Sequence, residues 1–313
     1  MDVIRPPRLQ PGDAIGLIAP SDCLLPYREQ IGTGMARLAS LGFRLRTGQY
    51  IWNEHGRHAG TVAERLADLH AMWADPEVKG IIAIMGGSGC MALVDKVDFG
   101  LVQANPKVFV GFSDLSILLN ALHARAGLVT FMGPDVANDL ANDTEGRGTA
   151  HFLQVTGRPE PAGLLPAWTG PVGVLRSGTG TRVAGPLLAQ NIPCSTHLLG
   201  TPYFPDAAGS IFCVESFRVS AVQLMRALVQ LRLAGVLGKV SALVIGQMEG
   251  CFTDFEDPNE GLRWAVEIGV GDLPIPVYTT AGFGHGVISV TLPVGCRASV
   301  GTDGFRLEEP AVR

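Results

Sequence analysis

What the chain lacks narrows its function first. No stretch reaches the roughly 18 consecutive apolar residues that a membrane-spanning helix requires, although 47% of the 313 residues are hydrophobic. No cluster of Lys and Arg could track a phosphate backbone, and the net charge of −5 disfavours nucleic acid as a partner. Neither H-E-x-x-H, nor the P-loop, nor G-x-G-x-x-G occurs, so the usual zinc-peptidase and nucleotide-cradle signatures are missing. The six cysteines (Cys23, Cys90, Cys194, Cys213, Cys251, Cys296) form no C-x-x-C pair and sit mostly in apolar segments. That is the pattern of reduced, buried thiols. The polar, Pro-rich residues 1–13 carry no apolar secretory core, so the expected location is cytoplasmic.

What is present is an alternation. Apolar, β-branched runs at residues 14–20, 43–52, 78–87 and 107–112 alternate with helical patterns at 27–42, 61–76 and from 114 onward. A short helix is expected at 90–97. Such alternation predicts right-handed βαβ units around a parallel sheet, with ligands gathered at the carboxyl ends of the strands. Three of those ends carry small or polar residues: Pro20-Ser21, Gly86-Gly87-Ser88-Gly89 and Gly111-Phe112-Ser113. Residues 157–180 then hold ten Gly or Pro in 24 positions, which reads as a linker or an ordered loop. Strands are expected beyond it at 210–216 and 241–248, with a hairpin-like run at 287–309. Helices at 220–237 and 259–268 interleave with them.

Ser113 is the residue this pattern singles out. It follows the strand at 107–112 and precedes a helix whose apolar residues (Leu115, Leu118, Leu119, Leu122) repeat with helical period. A serine there can act as a simple helix cap. It can equally be a nucleophile on a sharp strand-to-helix turn, with neighbouring amides placed to stabilise an oxyanion.

A nucleophilic serine needs a base, and the base an orienting acid. Among seven histidines, His285 stands apart in Gly282-Phe283-Gly284-His285-Gly286, where flanking glycines allow close backbone approach. His70 and His123 fall within helical patterns, and His55 with His58 lacks a third metal ligand. For the acid, Glu215 and Glu249 each end an apolar run, and spacing does not choose between them. Oxyanion donors are available from the Asp114 amide and from the glycines of residues 85–89.

These motifs, taken in order, carry a family resemblance. Leu9-Gln10-Pro11-Gly12-Asp13 leads into IGLIAPSD. Ala63-Glu64-Arg65, Asp68-Leu69 and Asp75-Pro76 precede GIIAIMGGSG. Asn105-Pro106-Lys107 runs through GFSD to Gly133-Pro134, followed by LLGTPYFPD, Glu215, and GFGHG with TLPVG. The chain resembles the serine-type LD-carboxypeptidases and their relatives, the microcin-C immunity peptidases.

The resemblance implies a Ser113–Glu215–His285 triad, with an oxyanion hole from the Gly87 and Asp114 amides, and it selects Glu215 over Glu249. It implies an α/β fold: a Rossmann-like parallel-sheet nucleophile domain (1–157), a Gly/Pro-rich linker loop (158–180) and a smaller β-rich domain (181–313). The active site would lie between the domains, in a homodimer. The activity implied is removal of the terminal D-alanine from the cytoplasmic muropeptide L-Ala-γ-D-Glu-meso-diaminopimelate-D-Ala during peptidoglycan recycling, with no metal or cofactor.

Two departures bear on specificity. The glycine turn usually reads Arg-Gly-Gly-Tyr-Gly, and here Met85 and Ser88 replace Arg and Tyr. The usual Gly-Gly-Asn-Leu is Ala189-Gln190-Asn191-Ile192. Ser88 and Trp168 are candidate substrate contacts, Trp168 either as a packing residue or as an aromatic platform for an acyl-nucleotide. Three other readings follow. One is an immunity-type peptidase cleaving aminoacyl-nucleotide conjugates. Another is an ordinary α/β-hydrolase esterase, disfavoured because Leu115 stands where G-x-S-x-G needs glycine. The third is a non-catalytic muropeptide-binding protein, disfavoured by the complete triad.

Overall fold

The computed structural model describes residues 3–178, 182–286 and 289–313. The first sheet is built by β1 (Ala14–Ile18), β2 (Arg44–Thr47), β3 (Val78–Ala83), β4 (Val108–Gly111) and β5 (Thr130–Met132), all parallel. Between them run α1 (Arg28–Ser40), α2 (Val62–Ala74), α3 (Phe99–Ala104) and α4 (Ser116–Ala126), with α5 (Arg147–Gly157) after β5. β1, β4 and β5 are wholly buried, as parallel strands covered on both faces should be. Apart from Lys79, so is β3. β2 is shorter than the apolar run at 43–52 suggests, since that sheet edge ends in solvent-exposed Arg46 and Thr47. The expected helix at 90–97 is two single 3-10 turns.

The second sheet contains β6 (Gly163–Leu164), β7 (Gly173–Arg176), β8 (Arg182–Asn191), β9 (Ile211–Phe217), β10 (Ala242–Glu249) and β11 (Val277–Gly284). α6 (Ile192–Leu198), α7 (Ala221–Leu233) and α8 (Pro258–Val270) connect them. β12 (Leu292–Val294) leaves this half of the chain and pairs antiparallel with β5, completing the first sheet as β12-β5-β4-β3-β1-β2. β13 (Arg297–Gly301) and β14 (Gly304–Leu307) form a true hairpin. The run expected as one hairpin at 287–309 is therefore divided between two sheets, and its first two residues lie outside the described ones.

The second sheet has the order β6-β14-β13-β8-β9-β10-β11-β7, with a parallel centre from β8 to β11. The Gly/Pro-rich segment is not a free spacer: it supplies β6 and β7, the two opposite edges of this sheet. Residues 179–180 of that segment are outside the described ones. β8 changes partner midway. Arg182–Pro186 pairs with β13 and Leu187–Asn191 with β9. Gly185 sits at the change, where a Cβ would fall 1.9 Å from the Gly209 carbonyl oxygen.

One continuous apolar core joins the two sheets. α4 lies at the junction, with Ser116 to Leu122 all buried. Its Asn120 Nδ2 donates to the Ala189 carbonyl of β8 at 3.0 Å, and its Ser116 Oγ accepts from the Asn191 amide at 3.2 Å. The helix that follows Ser113 is thus bonded to the strand beside Glu215. No helix among the described residues is long and apolar enough to cross a membrane.

Candidate active site

β4 ends at Gly111, and Ser113 turns the chain at φ 59°, one of three non-glycine residues with positive φ among those described. That conformation costs energy in a residue with a Cβ and is a signature of stored strain at functional turns. The turn is tight: a Cβ on Gly111 would lie 2.5 Å from Leu115 Cβ. Ser113 does not cap the helix by its side chain. Its Oγ lies 3.0 Å from His285 Nε2.

Glu215 stands near the end of β9, in register with Asn191 of β8. Its side chain is fully buried and accepts from Asn191 Nδ2 at 3.0 Å, from the His285 amide at 3.2 Å, and from His285 Nδ1. His285 follows β11, one strand further along than β10. Gly284, at φ 121°, lets the chain cross the end of β10, where a Cβ would meet the Gln247 carbonyl at 2.7 Å. The imidazole packs against two rings, Phe217 stacked on it (centroids 5.2 Å apart) and Phe112 tilted to it (4.6 Å). Three side chains distant in sequence thus form one hydrogen-bonded chain, Ser113–His285–Glu215. Glu249 shares the cavity but is exposed at the end of β10.

The glycine turn after β3 lies against the nucleophile. A Cβ on Gly86 would stand 2.9 Å from Ser113 Cβ, and Gly87 takes φ 142°. Among the described residues the Gly87 amide donates to no other group, so it is available to a ligand. Four buried or half-buried side chains fix this turn. Arg65 Nη1 donates to the Pro20 and Gly89 carbonyls at 2.6 and 3.0 Å. Asp114 Oδ2 accepts from Ser21 Oγ at 2.6 Å and from the Cys90 amide at 2.8 Å. Ser21 Oγ accepts from the Gly89 amide at 3.1 Å. Asp22 Oδ1 accepts from the Ser88 amide and hydroxyl at 3.0 and 2.9 Å.

A cavity of about 740 Å³ opens over Ser113, lined by strand ends and loops of both sheets, including Met85, Phe217 and Glu249. It is rich in acid. Asp135 Oδ1 accepts from the Asn138 and Asp139 amides, and Asp139 Oδ2 from the Asp135 amide at 3.0 Å. Burial, and then the neighbouring Asp135 charge, hold the Asp139 carboxyl well above its ordinary range. Ser88 and Trp168 are not among the lining residues. Ser88 is occupied by Asp22, and Trp168, in a 3-10 turn of the Gly/Pro-rich segment, packs half-buried against the core.

This site can run nucleophilic acyl transfer: a half-buried serine, an imidazole in contact with it, a buried acid behind, and a glycine turn packed against the serine. Comparison with known proteins agrees. Residues 15–133 match the LD-carboxypeptidase N-terminal domain, and residues 184–300 its C-terminal domain. The chain belongs to the LD-carboxypeptidase family. It is a serine-type carboxypeptidase. A Bacillus subtilis relative named "Probable murein peptide carboxypeptidase" is 30% identical over 95% of this chain and 92% of its own. A muramoyltetrapeptide carboxypeptidase structure from Oxalobacter formigenes is 29% identical, with a TM-score of 0.78 over 94% of this chain and 97% of the other. The microcin C7 self-immunity protein MccF of Escherichia coli is 24% identical over 93% and 91% of the two chains. A wild-type apo structure of a protein of that name has a TM-score of 0.90 at 22% identity over 99% and 100%, which marks a shared fold.

The LD-carboxypeptidase site also contains residues that motif reading missed. Asn191 sits in the segment already noted as a departure, yet its contact with Glu215 depends on strand register. Asp135 and Arg57 sit on connecting segments whose convergence is a property of the folded chain.

Proposed function

We propose that this LD-carboxypeptidase removes the terminal D-alanine from L-Ala-γ-D-Glu-meso-diaminopimelate-D-Ala, a cytoplasmic product of peptidoglycan turnover. The observation that carries this reading is His285, which bridges Ser113 Oγ at 3.0 Å and the buried Glu215 carboxylate. The murein peptide names borne by the relatives support the substrate class.

In this mechanism His285 Nε2 takes the Ser113 proton as Oγ attacks the carbonyl of the L,D bond. The oxygen acquires charge and receives hydrogen bonds from the Gly87 and Asp114 amides. Glu215 holds Nδ1–H, which fixes the tautomer and stabilises the imidazolium. The C–N bond then breaks, the leaving amine takes the proton from His285, and D-alanine departs. Water, deprotonated by His285, attacks the acyl-enzyme. Ser113 recovers its proton and the tripeptide is released.

The experiment is product identification by mass spectrometry, with the tetrapeptide and an aminoacyl-nucleotide conjugate offered in parallel. Tripeptide and D-alanine are the expected products. Cleavage of the conjugate alone would overturn this substrate in favour of the immunity-type reaction. Trp168 packs half-buried on the core and does not line the cavity over Ser113.

A further inference from the structure

A carboxypeptidase substrate carries a carboxylate three bonds from the scissile carbonyl carbon. When that carbon is within reach of Ser113, the carboxylate must lie inside the same cavity. The side chains of Asp22, Asp135, Asp139 and Glu249 lining it are all carboxylic acids and offer a carboxylate no cation. The glycine turn brings no cation, because Met85 occupies the position that is Arg in the family motif. Among the described lining residues, Arg57 alone carries a permanent positive charge.

Arg57 is fixed to the oxyanion side of the site by its backbone as well as its side chain. Its carbonyl accepts from the Cys23 amide at 2.8 Å, and the Ala59 amide donates to the Ser21 carbonyl at 3.1 Å. A short antiparallel ladder therefore ties residues 57–59 to residues 21–23. Arg57 Nη2 donates to Asp22 Oδ2 at 3.0 Å. Asp22 in turn packs on Gly87 so closely that a Cβ there would fall 2.3 Å from Asp22 Cγ. The guanidinium, Asp22 and Gly87 thus stand in direct succession.

The Arg57 side chain is 75% exposed, so its pair with Asp22 adds little to stability. It is placed for a ligand instead. A guanidinium presents five donors in a planar fork, and one nitrogen on Asp22 leaves others for a bidentate carboxylate. We infer that Arg57 binds the free C-terminal carboxylate of the substrate and so makes the enzyme an exopeptidase. This rests on the carboxypeptidase reading above.

The test compares the tetrapeptide acid with its C-terminal carboxamide, on wild type, Arg57→Gln and Arg57→Lys. Fluorophosphonate labelling of Ser113 reports that the site remains assembled. Charge-assisted bidentate recognition predicts that wild type favours the acid by about 30-fold or more in kcat/KM. Arg57→Gln should lose about that factor on the acid and change less than about threefold on the amide, with partial rescue by Arg57→Lys. Equal losses on both substrates, or an unchanged acid-to-amide ratio, would overturn the assignment of Arg57 while leaving the carboxypeptidase reading intact. Cleavage of neither substrate by wild type whose Ser113 still labels would overturn the carboxypeptidase reading itself.

Discussion

His285 touches Ser113 with one ring nitrogen and Glu215 with the other, although 70 residues separate it from the acid and 172 from the serine. Glu215 has no solvent exposure and receives donors from Asn191 and from both the backbone and ring of His285. These donors take the place of water around the buried carboxyl group. Substitution Glu215→Gln removes the charge and offers the imidazole an amide. Turnover should fall by at least about a hundredfold, less than removal of Ser113 costs. Glu249→Gln, on an exposed end of β10, should change kcat less than about threefold. Steady-state kinetics of the two variants checks this, and the opposite ranking would move the acid role to Glu249.

Asn191 is a positioning residue. Its Nδ2 donates to Glu215 and its amide to Ser116, so it ties the acid to the helix that follows the nucleophile. Asn191→Ala leaves a buried carboxylate short of one donor, and kcat should fall about 10- to 100-fold. Asn191→Gln, which keeps the amide on a longer arm, should fail to restore it. A KM for the tetrapeptide unchanged within about threefold would separate this effect from lost binding.

The oxyanion site depends on a glycine. Gly87 adopts φ 142°, and any Cβ would collide with Asp22. Gly87→Ala should turn the amide away from Ser113 and cost about 100- to 1,000-fold in kcat. Circular dichroism and thermal melting, close to those of wild type, would show that the loss is local.

His151 gives the stability a pH dependence. It is buried on α5, its Nδ1 accepts from the Thr291 amide at 3.0 Å, and burial lowers its pKa to about 4. The folded state therefore favours the neutral ring, while the unfolded chain takes a proton near the ordinary value of about 6.5. Stability from this group is complete above about pH 6.5 and is lost as the pH falls toward 4. The loss is on the order of 3 kcal/mol. Denaturant melts of wild type and His151→Gln between pH 7 and 4 measure it, the variant showing the flatter profile.

Local chemistry made part of this molecule legible in its sequence. Ser113 and α4 could be read because a β-branched run meets a helical period there, and both signals are short-range. The glycines around His285 marked a tight crossing that the fold places over the end of β10. β8 escaped because Gly185 and Pro186 interrupt its pattern at the very point where it changes partners. β12 could not be separated from the hairpin after it, since its pairing with β5 spans more than 150 residues of chain. Arg57, Asp135 and Asp139 lie on connections that converge only in the folded chain, so no spacing announces them. Trp168 packs half-buried on the core, in line with the packing alternative that its setting in a Gly/Pro-rich segment offers.

The most direct measurement is the rate of D-alanine release from the tetrapeptide by wild type and by Ser113→Ala under identical conditions. Wild type should release D-alanine, and the variant should do so at least about a thousandfold more slowly. Release by Ser113→Ala within about tenfold of wild type would contradict the nucleophile role of Ser113.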